Sequence, residues 1–491
     1  MNSRKFLTLI NNYMKSKILF LTLFLFASSF ASAFIIHVPA NYNTIQLAIN
    51  AANNGDTVLV EPGTYFENIN FRGKKIVLTS RFYNGNNLSF IQSTIINGST
   101  PVSPDSATCV RFHNGEDSTT VLQGFTITGG TGTKWTDEHG AGIYREGGGI
   151  LIAFCSPIIK NNIIKNNEAI NTSGVTSCGG GGLRIGDGNP KILNNIIMYN
   201  KGLYGAGIVL NYTGVTVKNN LICYNSQSTS YQAGAGIWAN STLSGKIRLI
   251  ENNTIIHNSA TAGTAGVLSY SSILVLKNNI VWGNTTPLNG PQVLAFSGGT
   301  LTATYCDIQG GLIGAGNINV YPQFADTNFI LANGSPCIDA GDSSSVYNDP
   351  ADSANPSIAK FPSKGGLRND LGVYGGAGSF LLSNNMVIGI NENNKIMPEG
   401  FRLYQNYPNP FNPSTKIHFD VPVKNGSGAM TNIQLKIYDV LGKEIAKLID
   451  SQLSAGSYEV SWNAADIPSG IYFYKLISGN FSDSKVMVLT K

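Results

Sequence analysis

Between residues 149 and 284 the apolar and polar positions repeat in a fixed register. Two asparagines five residues apart enclose a short apolar segment, with further apolar residues two after and three before the first of them. Apolar positions spaced in this way on either side of a turn are typical of short β-strands, in which alternate side chains face inward. The first asparagines are Asn162, Asn195, Asn220, Asn253 and Asn279, and the second are Asn167, Asn200, Asn225, Asn258 and Asn284.

A glycine before each copy opens a third short strand. Gly149, Gly182, Gly207 and Gly266 stand 13 residues before their first asparagine, and Gly236 stands 17 before because of an insertion. Each repeat therefore contains three strands and three turns. Because such a unit cannot bury its apolar face alone, it must stack on its neighbours. The sequence predicts an all-β solenoid with three parallel strands per coil, a parallel β-helix.

The asparagines have two predicted roles in this solenoid. Asparagine tolerates the left-handed backbone of a tight corner, and its side-chain amide can hydrogen bond to the next coil about 4.8 Å away. Glycine is expected to meet the same backbone need at another corner. A disordered asparagine-rich tract would not keep Ile or Val at fixed offsets. The predicted ladder comprises Asn162, Asn195, Asn220, Asn253 and Asn279.

The first 33 residues have the organisation of a signal peptide. Lys15 and Lys17 precede an apolar run from 18 to 27, and Ala31-Ser32-Ala33 supplies small residues for cleavage. A membrane anchor is the alternative, but the apolar run is short for a bilayer. Four of the 33 basic residues and none of the 28 acidic ones lie here, which leaves a net charge of +1. A nearly neutral mature chain predicts no nucleic-acid partner.

Composition adds two expectations. Only 12% of the residues are charged and 55 are glycine, which excludes a helical bundle. An exported chain meets an oxidising compartment, so some disulfide pairing is expected, with the connectivity open. No CxxC spacing occurs, and a zinc site is not predicted. The six cysteines are Cys109, Cys155, Cys178, Cys223, Cys306 and Cys337.

Both ends of the repeat region fit a solenoid. Ile45, Ala48, Ile49 and Ala52 share one face of a predicted helix that can cap the open end of the coil. The stretch "HVPANYNTIQLAINAANNGDTVLVEPGTYFENI", the asparagine coils and the closing motifs "GSPCIDAGD" and "RNDLGVYGG" resemble right-handed parallel β-helix proteins of the pectate-lyase-like superfamily. The resemblance covers roughly residues 35 to 377 and implies a right-handed parallel β-helix with an N-terminal capping helix. We predict this domain over residues 34–378.

A second domain is predicted after a polar linker at 379–398. From 399 to 491 about seven alternating strands, separated by Gly, Asn and Pro turns, predict a small immunoglobulin-like β-sandwich. The motifs "FRLYQNYPNPFNPSTKIHF", "KIYDVLGKEIAKL", "PSGIYFYKL" and "KVMVLTK" closely resemble the type A C-terminal sorting domain of the type IX secretion system. An ordinary immunoglobulin-like binding module is the alternative. The sorting motif comprises Pro408, Asn409, Pro410, Phe411, Asn412 and Pro413.

The resemblance to the sorting domain implies a route for the protein. It implies export through the Sec pathway, contact with the type IX secretion machinery, and passage to the outer cell surface or the medium, with removal of the domain. No transmembrane anchor is expected after cleavage of the signal peptide. The three prolines of the motif fix a rigid, non-strand segment that can present a recognisable surface.

One loop carries the candidate chemistry. The longest excursion between coils, "TKWTDEHGAGIYRE" at 133–146, leads into the strand opened by Gly149, whose sheet has predicted outward positions at Leu151, Arg184, Val209, Trp238 and Leu268. Exposed indoles with acids and a cation along one groove are typical of a sugar-binding cleft. A merely solvated insertion loop is the alternative. The candidate ligand-binding residues are Trp135, Asp137, Glu138, His139, Arg145, Glu146, Arg184, Asp187 and Trp238.

The sequence is consistent with two classes of function. One is a secreted protein that binds a polysaccharide and, in the bolder version, cleaves it as a lyase or hydrolase through Asp137, Glu138, His139 or Arg145. The other is a structural or adhesive surface rod. No enzyme signature of related β-helix proteins is intact, so the catalytic residues are unknown. The stretch "GGGGLRIGD" suggests calcium as a cofactor, but it occurs once and such sites need tandem copies.

Overall fold

The computed structural model describes residues 33–137, 139–228, 233–241, 246–287, 289–382, 401–406, 408–422, 431–453 and 456–491. These residues form two compact units that divide between 385 and 386. The predicted signal peptide, except its last residue, and most of the predicted linker lie outside the described residues. Within the described ranges, no helix has both the length and the apolar character needed to cross a membrane.

The first unit is a right-handed parallel β-helix in which each coil adds one strand to each of three sheets, as predicted. Sheet 1 contains Ile69–Asn70, Val110–Phe112, Ile150–Ala153, Leu183–Gly186, Ile208–Asn211, Ile237–Asn240, Val267–Tyr270 and Val293–Phe296. Sheet 2 contains Ile35–Val38, Thr57–Val60, Val77–Ser80, Val121–Gln123, Ile158–Lys160, Lys191–Leu193, Val215–Lys218, Arg248–Glu251, Ile273–Lys277 and Thr300–Thr304. Sheet 3 contains Gly63–Tyr65, Thr94–Asn97, Thr126–Thr128, Ile163–Lys165, Ile196–Met198, Leu221–Cys223, Thr254–Ile256, Ile280–Trp282 and Asp307–Ile308.

Short outer strands lie outside these three sheets. Four of them form one small sheet, Ser106–Ala107, Gly132–Thr136, Ile143–Glu146 and Ser177–Gly179. Two smaller sheets contain Lys201–Gly202, Ser226–Gln227 and Ser259–Ala260, and Ala233–Gly234 and Gly263–Thr264. Within the described ranges the helices are Ile45–Ala51 and Ser89–Ser93, with 3-10 turns at Arg81–Tyr83 and Ser345–Tyr347.

Equivalent residues of successive coils pair one to one, which builds the core as apolar columns. In sheet 2 the column is Ile159, Ile192, Val217, Ile250 and Leu276. In sheet 3 it is Ile164, Ile197, Ile222, Ile255 and Val281. All ten side chains are fully buried. Each contributes about 1.5–3 kcal/mol by burial, so the columns supply much of the driving force for stacking.

The inward asparagines form two hydrogen-bonded ladders beside these columns. The side-chain oxygen of Asn195 accepts hydrogen bonds from the backbone N–H and the amide of Asn162, and the same pattern runs on to Asn279 at 2.8 to 3.2 Å. A second ladder runs from Asn167 to Asn284 and ends on the side-chain oxygen of Gln292. Each asparagine therefore satisfies buried backbone groups that a tight corner leaves unpaired.

The predicted backbone roles of asparagine and glycine need correction. The left-handed residue is the one before each ladder asparagine, so Asn161 and Asn194 turn the chain with φ of 54° and 52°. This leaves the ladder asparagine free to point into the coil. Gly149 is not left-handed. A Cβ there would lie 2.7 Å from the carbonyl oxygen of Gly182, so glycine is needed for close packing between coils.

The predicted capping helix covers the first coil. Helix Ile45–Ala51 begins at Thr44, whose hydroxyl accepts the Leu47 N–H at 3.2 Å. The carboxylate of Glu67 accepts the first two helical N–H groups at 2.8 and 2.9 Å, where an anion is favoured by the helix dipole. Ile45, Ala48 and Ile49 are buried against the core. The helix thus seals the apolar interior at this end.

A closing segment, residues 334–380, packs along the corner between sheets 2 and 3. The amide of Asn219 donates to the carbonyls of Val373 and Gly375 at 3.0 and 2.7 Å. In the next coil the amide of Asn252 donates to the carbonyl of Asp370 at 3.0 Å. One coil further, the side-chain oxygen of Asn278 accepts the N–H of residue 342. The left-handed corner asparagines of three coils therefore hold both closing motifs.

Two buried carboxyl groups organise the closing segment. Asp370 accepts backbone N–H bonds from Asp339 and Lys364, and Asp349 accepts those of Asp370 and Gly376. Burial and, to a smaller extent, the neighbouring Asp370 together raise the pKa of Asp349 to about 8. Burial also raises the pKa of Asp370 to about 7. The packing of this segment is therefore sensitive to pH.

The expected disulfides are absent, since all six cysteines are free and buried. Each of four thiols has its own polar neighbour. Cys109 donates to the carbonyl of Thr128 at 3.1 Å, and Cys155 donates to the carboxylate of Glu116 at 2.8 Å. Burial raises the pKa of both thiols to about 12. The prediction of disulfide pairing is wrong because these cysteines act as small core residues in different coils.

The second unit is a β-sandwich of two antiparallel sheets, as predicted. One sheet contains Arg402–Leu403, Ser414–Val421 and Gly456–Asn463, and the other contains Glu444–Leu453, Thr431–Tyr438, Gly470–Ser478 and Phe481–Leu489. In the sorting motif, Phe411 is buried against Trp462, with ring centroids 5.6 Å apart. Asn409 accepts the N–H of Val488 and donates to the carbonyl of Val486. The motif thus covers the edge of the last strand.

Candidate functional site

The long loop at 133–146 folds into a β-hairpin over the outer face of sheet 1. Its strands pair Thr133 with Glu146 and Trp135 with Tyr144. At the tip, the carboxylate of Asp137 accepts the N–H groups of residues 139 and 141 at 2.9 and 3.1 Å, so this acid shapes the turn. Glu138 lies outside the described residues.

The predicted outward column of sheet 1 is in register but is not an open groove. Leu151, Arg184, Val209, Trp238 and Leu268 pair in sequence across successive coils. Trp238 is partly exposed, whereas the other four are at most 1% exposed. The prediction of outward, accessible side chains is therefore wrong at four of the five positions, and Trp238 remains a candidate. Period-2 alternation shows that these side chains point away from the core, but it does not show whether they are covered. In the structure this face is covered by the hairpin, the short outer strands and neighbouring aromatic side chains.

A buried ion pair fixes the hairpin to the coil. The Arg184 guanidinium donates to the Glu146 carboxylate at 2.9 Å, and the Tyr204 hydroxyl donates to its other oxygen at 2.8 Å. The Trp135 ring lies 5.3 Å from the guanidinium. Burial raises the pKa of Glu146, against the opposite effect of the guanidinium and the hydroxyl. The protein itself thus occupies Glu146 and Arg184, two of the predicted ligand-binding residues.

Arg145 also has a structural position. It is 4% exposed and donates to the carboxylate of Asp105 at 2.7 Å and to the carbonyl of Gly132 at 3.0 Å. These contacts tie the hairpin to the preceding loop. The guanidinium of Arg145 binds groups of the protein itself, so the predicted contact with a ligand does not fit its position.

His139 brings the accessible part of the site together. From the hairpin tip its Nε2 lies 2.9 Å from the Asp187 carboxylate, and its ring stacks on Tyr212 at 3.6 Å. Asp187 and Tyr212 are left-handed corner residues that follow sheet 1 strands in adjacent coils. In the coil before them the equivalent corner residue, Phe154, is 52% exposed. Two predicted residues distant in sequence, His139 and Asp187, therefore meet at the surface.

An aromatic row continues from the hairpin across the coils of sheet 1. The ring centroids are 4.7 Å apart between Tyr204 and Trp238, 6.1 Å between Trp238 and Tyr270, and 6.0 Å between Tyr270 and Phe296. Phe296 is 43% exposed. Sequence reasoning identified only Trp238 of this row. Tyr270 and Phe296 occupy the strand position that holds asparagine in earlier coils, and only a register alignment of strand ends could have found them.

A metal centre has no obvious donor set in this region. In the part of the chain that the structure describes, no three His, Cys, Asp or Glu side chains are placed to hold a metal ion together. The stretch that suggested calcium supplies Asp187, whose carboxylate is paired with His139. The chemistry available at the surface is therefore an acid, an imidazole and aromatic faces.

Comparison with known proteins agrees with both folded units. Residues 116–308 match the family model of the right-handed beta helix region, and residues 405–490 match that of the secretion system C-terminal sorting domain. A crystal structure of pectin methylesterase in complex with hexasaccharide VII is similar with a TM-score of 0.30 and 10% identity, over 58% of this chain and 92% of that chain. No curated protein matches significantly.

These observations define a right-handed parallel β-helix protein. More particularly, the chain is a β-helix protein that carries a C-terminal sorting domain of the type IX secretion system. It is therefore secreted to the cell surface or the extracellular space, and its sorting domain interacts with the type IX secretion machinery.

Proposed function

We propose that this secreted β-helix protein binds an extracellular polysaccharide along the outer face of sheet 1. The aromatic row supports the proposal most directly. Tyr204 is buried at the hairpin end, and the exposed or partly exposed rings of Trp238, Tyr270 and Phe296 follow one another from coil to coil at 6.0 to 6.1 Å. The apolar faces of sugar rings stack on aromatic side chains, and a chain of sugars needs several such faces in line.

Polar groups for such a ligand lie at the hairpin end of the row. His139 and Asp187 are in contact there, and Tyr212 carries the imidazole on its ring. Carboxylate and imidazole groups hydrogen bond well to sugar hydroxyls. Three of the predicted residues instead hold the hairpin over sheet 1. Arg145 pairs with Asp105, and Arg184 pairs with Glu146.

Cleavage of the polymer is the bolder version of this proposal. Of the four residues predicted for it, His139 has the most suitable position, because Asp187 can orient its imidazole for proton transfer. Asp137 is engaged with backbone N–H groups of the hairpin tip, and Arg145 is buried. A lyase or hydrolase reaction would therefore be expected to depend on His139 before the others.

The test is retention of the purified secreted protein in gels that contain a panel of polysaccharides. Trp238→Ala and Phe296→Ala each remove one ring of the row and are expected to weaken binding about 5- to 50-fold, or about 1–2.3 kcal/mol. Phe66→Ala is the matched control, since Phe66 is 59% exposed elsewhere on the solenoid. Equal retention of all three variants would refute a role for the row.

A structural or adhesive rod is the second candidate function. The observation that favours it is the internal use of the charged residues near the hairpin, which leaves a largely closed surface. If the wild-type protein is retained by no polysaccharide, the rod is the better account. Product release from a polysaccharide that the protein binds, and its loss in His139→Ala, would support catalysis.

A further inference from the structure

We infer that the polymer recognised on sheet 1 is a neutral, hydroxyl-rich polysaccharide rather than an acidic one. This inference rests on the proposed function and names the substrate class of the same site. It depends on two independent features of the structure. One is the set of polar atoms that have no partner within the protein, and the other is the distribution of charge around them.

Three buried polar atoms on this side of the solenoid lack a hydrogen-bond partner among the described residues. They are the second carboxylate oxygen of Asp187, the side-chain oxygen of Asn211 and the indole nitrogen of Trp238. The Asp187 side chain is 7% exposed, and Asn211 is 5% exposed. An unpartnered buried polar atom is unfavourable in the free protein, so a group of them calls for an explanation.

The register places these three residues on three successive coils, with Trp238 two strand positions away from Asn211. Asn211 pairs with Gly186, the residue before Asp187, and Val209 pairs with Trp238 in the next coil. Ile208 and Leu210 belong to the core, so alternation turns Asn211 outward, to the same face as Trp238. Adjacent coils are about 4.8 Å apart and successive strand residues about 3.3 Å, so Asp187 and Trp238 lie about 14 Å apart with Asn211 between them, a span that a short oligosaccharide can cover.

This set of atoms suits hydroxyl groups. A hydroxyl donates one hydrogen bond and accepts others, so two hydroxyls can donate to the oxygens of Asp187 and Asn211 while a sugar oxygen accepts the N–H of Trp238. A carboxylate or sulfate on the polymer only accepts hydrogen bonds, and it would be brought next to two oxygen acceptors. The desolvation of an anion without a cationic partner is strongly unfavourable.

The charges nearby also oppose an anionic polymer. Arg184 is paired with Glu146 and buried, and Arg248 donates to the carbonyls of Thr213 and Asn240 from a buried position. Lys134 follows the alternate face of the hairpin from Trp135 and lies beside residue 174. Beside the three unpartnered atoms the charged or titratable groups are the Asp187 carboxylate and the partly exposed His139 imidazole. Among the described residues the partly exposed cation on this face is Arg111, two coils away from Arg184 in the same column, so an anion bound at the three atoms would lack a cation beside it.

The test compares the full secreted protein on neutral and anionic polysaccharides. The neutral set is mixed-linkage glucan, xylan and galactomannan, and the anionic set is polygalacturonate and alginate, each in gels at low and at high salt. Retention by a neutral polymer alone, with little effect of salt, is expected. Stronger and salt-sensitive retention by an anionic polymer would overturn this inference while the proposed function stands. Retention by none would refute the proposed function itself.

One substitution separates a ligand contact from a structural role. Asn211→Leu keeps the volume and removes the unpartnered side-chain oxygen. Neutral-polymer binding is expected to weaken about tenfold, through loss of about one hydrogen bond, while the midpoint of urea unfolding stays the same or rises. Asn97→Leu on sheet 3 is the control and should bind as the wild type does. Unchanged binding by Asn211→Leu would contradict the inference.

A second variant keeps the test decisive if Asn211→Leu does not fold. Asp187→Asn retains the shape of the side chain and the contact with His139 but removes the negative charge. It is expected to weaken neutral-polymer binding, because a charged acceptor for a sugar hydroxyl is lost, and to raise the ratio of polygalacturonate retention to neutral-polymer retention. If Asp187→Asn leaves the preference between neutral and anionic polymers unchanged, the electrostatic part of the inference is wrong.

Discussion

Replacement of one ladder asparagine, Asn220→Ala, tests how the coils are held together. The side-chain oxygen of Asn220 accepts the backbone N–H of Asn195 at 2.9 Å and its amide at 3.0 Å. The Asn220 amide donates to the carbonyl of Ile192 at 2.8 Å and to the side-chain oxygen of Asn253 at 3.0 Å. Alanine removes all of these hydrogen bonds at a fully buried position.

The expected loss follows from the groups left behind. The amide of Asn195 keeps a hydrogen bond to the carbonyl of Ile159, but its backbone N–H becomes a buried donor without a partner. Such a donor costs about 1–3 kcal/mol, and each further neutral hydrogen bond is worth about 0.5–1.5 kcal/mol. We expect Asn220→Ala to lower the free energy of unfolding by about 2–5 kcal/mol.

The assay is urea denaturation of the purified protein, followed by far-ultraviolet circular dichroism. Asn194→Gly is the matched control, because Asn194 is a left-handed corner residue whose side-chain oxygen has no partner among the described residues. Glycine suits that backbone, so we expect a loss below about 1 kcal/mol. A variant Asn220→Ala that unfolds at the wild-type midpoint, or no more easily than Asn194→Gly, would refute the reasoning about the ladder.

Four further outcomes are expected. Glu146→Leu leaves the Arg184 guanidinium buried without its anion and should lower stability by about 3–5 kcal/mol in the same assay. The raised pKa values of Asp349 and Asp370, about 8 and about 7, mean that the folded protein holds protons that the unfolded chain releases near 3.8. Stability should therefore fall as pH rises from about 4 to about 8 and level off above that, and a flat profile of unfolding midpoint against pH would contradict this. The six buried thiols should react with a thiol reagent only after unfolding; rapid reaction of the native protein would place at least one at the surface. Deletion of residues 399–491 should give a folded solenoid that stays in the periplasm, and its appearance outside the cell would show that export does not need the sorting domain.

The architecture could be predicted because its determinants are local and repeated. An Ile or Val at a fixed offset from Asn162 or Asn195 defines strand, facing and register together, and the same offsets recur in each coil. The predicted position of the left-handed residue was wrong by one residue, because it precedes each ladder asparagine. In a pair such as Asn161-Asn162, sequence cannot show which asparagine turns the chain and which one points inward, and only the ladder contacts decide it.

The sequence predicted which residues face outward at the site but not which of them are exposed. The hairpin that covers them contacts residues far away in the sequence. Alternation marks Arg184 as outward, but its partner Glu146 lies 38 residues away on a hairpin whose path no periodic pattern specifies. The meeting of His139 with Asp187 depends on the same hairpin. Tyr270 and Phe296 were missed because each occurs once, in a column where other coils carry asparagine, so repetition gave no signal.

The closing segment changes how the solenoid can come apart. In a stacked array each coil touches only its neighbours, so coils at the ends are free to fray one after another. Here Asn219 is hydrogen bonded to Val373 and Gly375, which lie 154 and 156 positions further along the sequence. Phe380 packs edge-on against Phe82, near the other end of the solenoid. The closing segment therefore contacts coils in both halves of the solenoid. Loss of any of these coils also releases the segment, which ties their openings into a single cooperative transition, visible as uniform amide hydrogen exchange along the ladder.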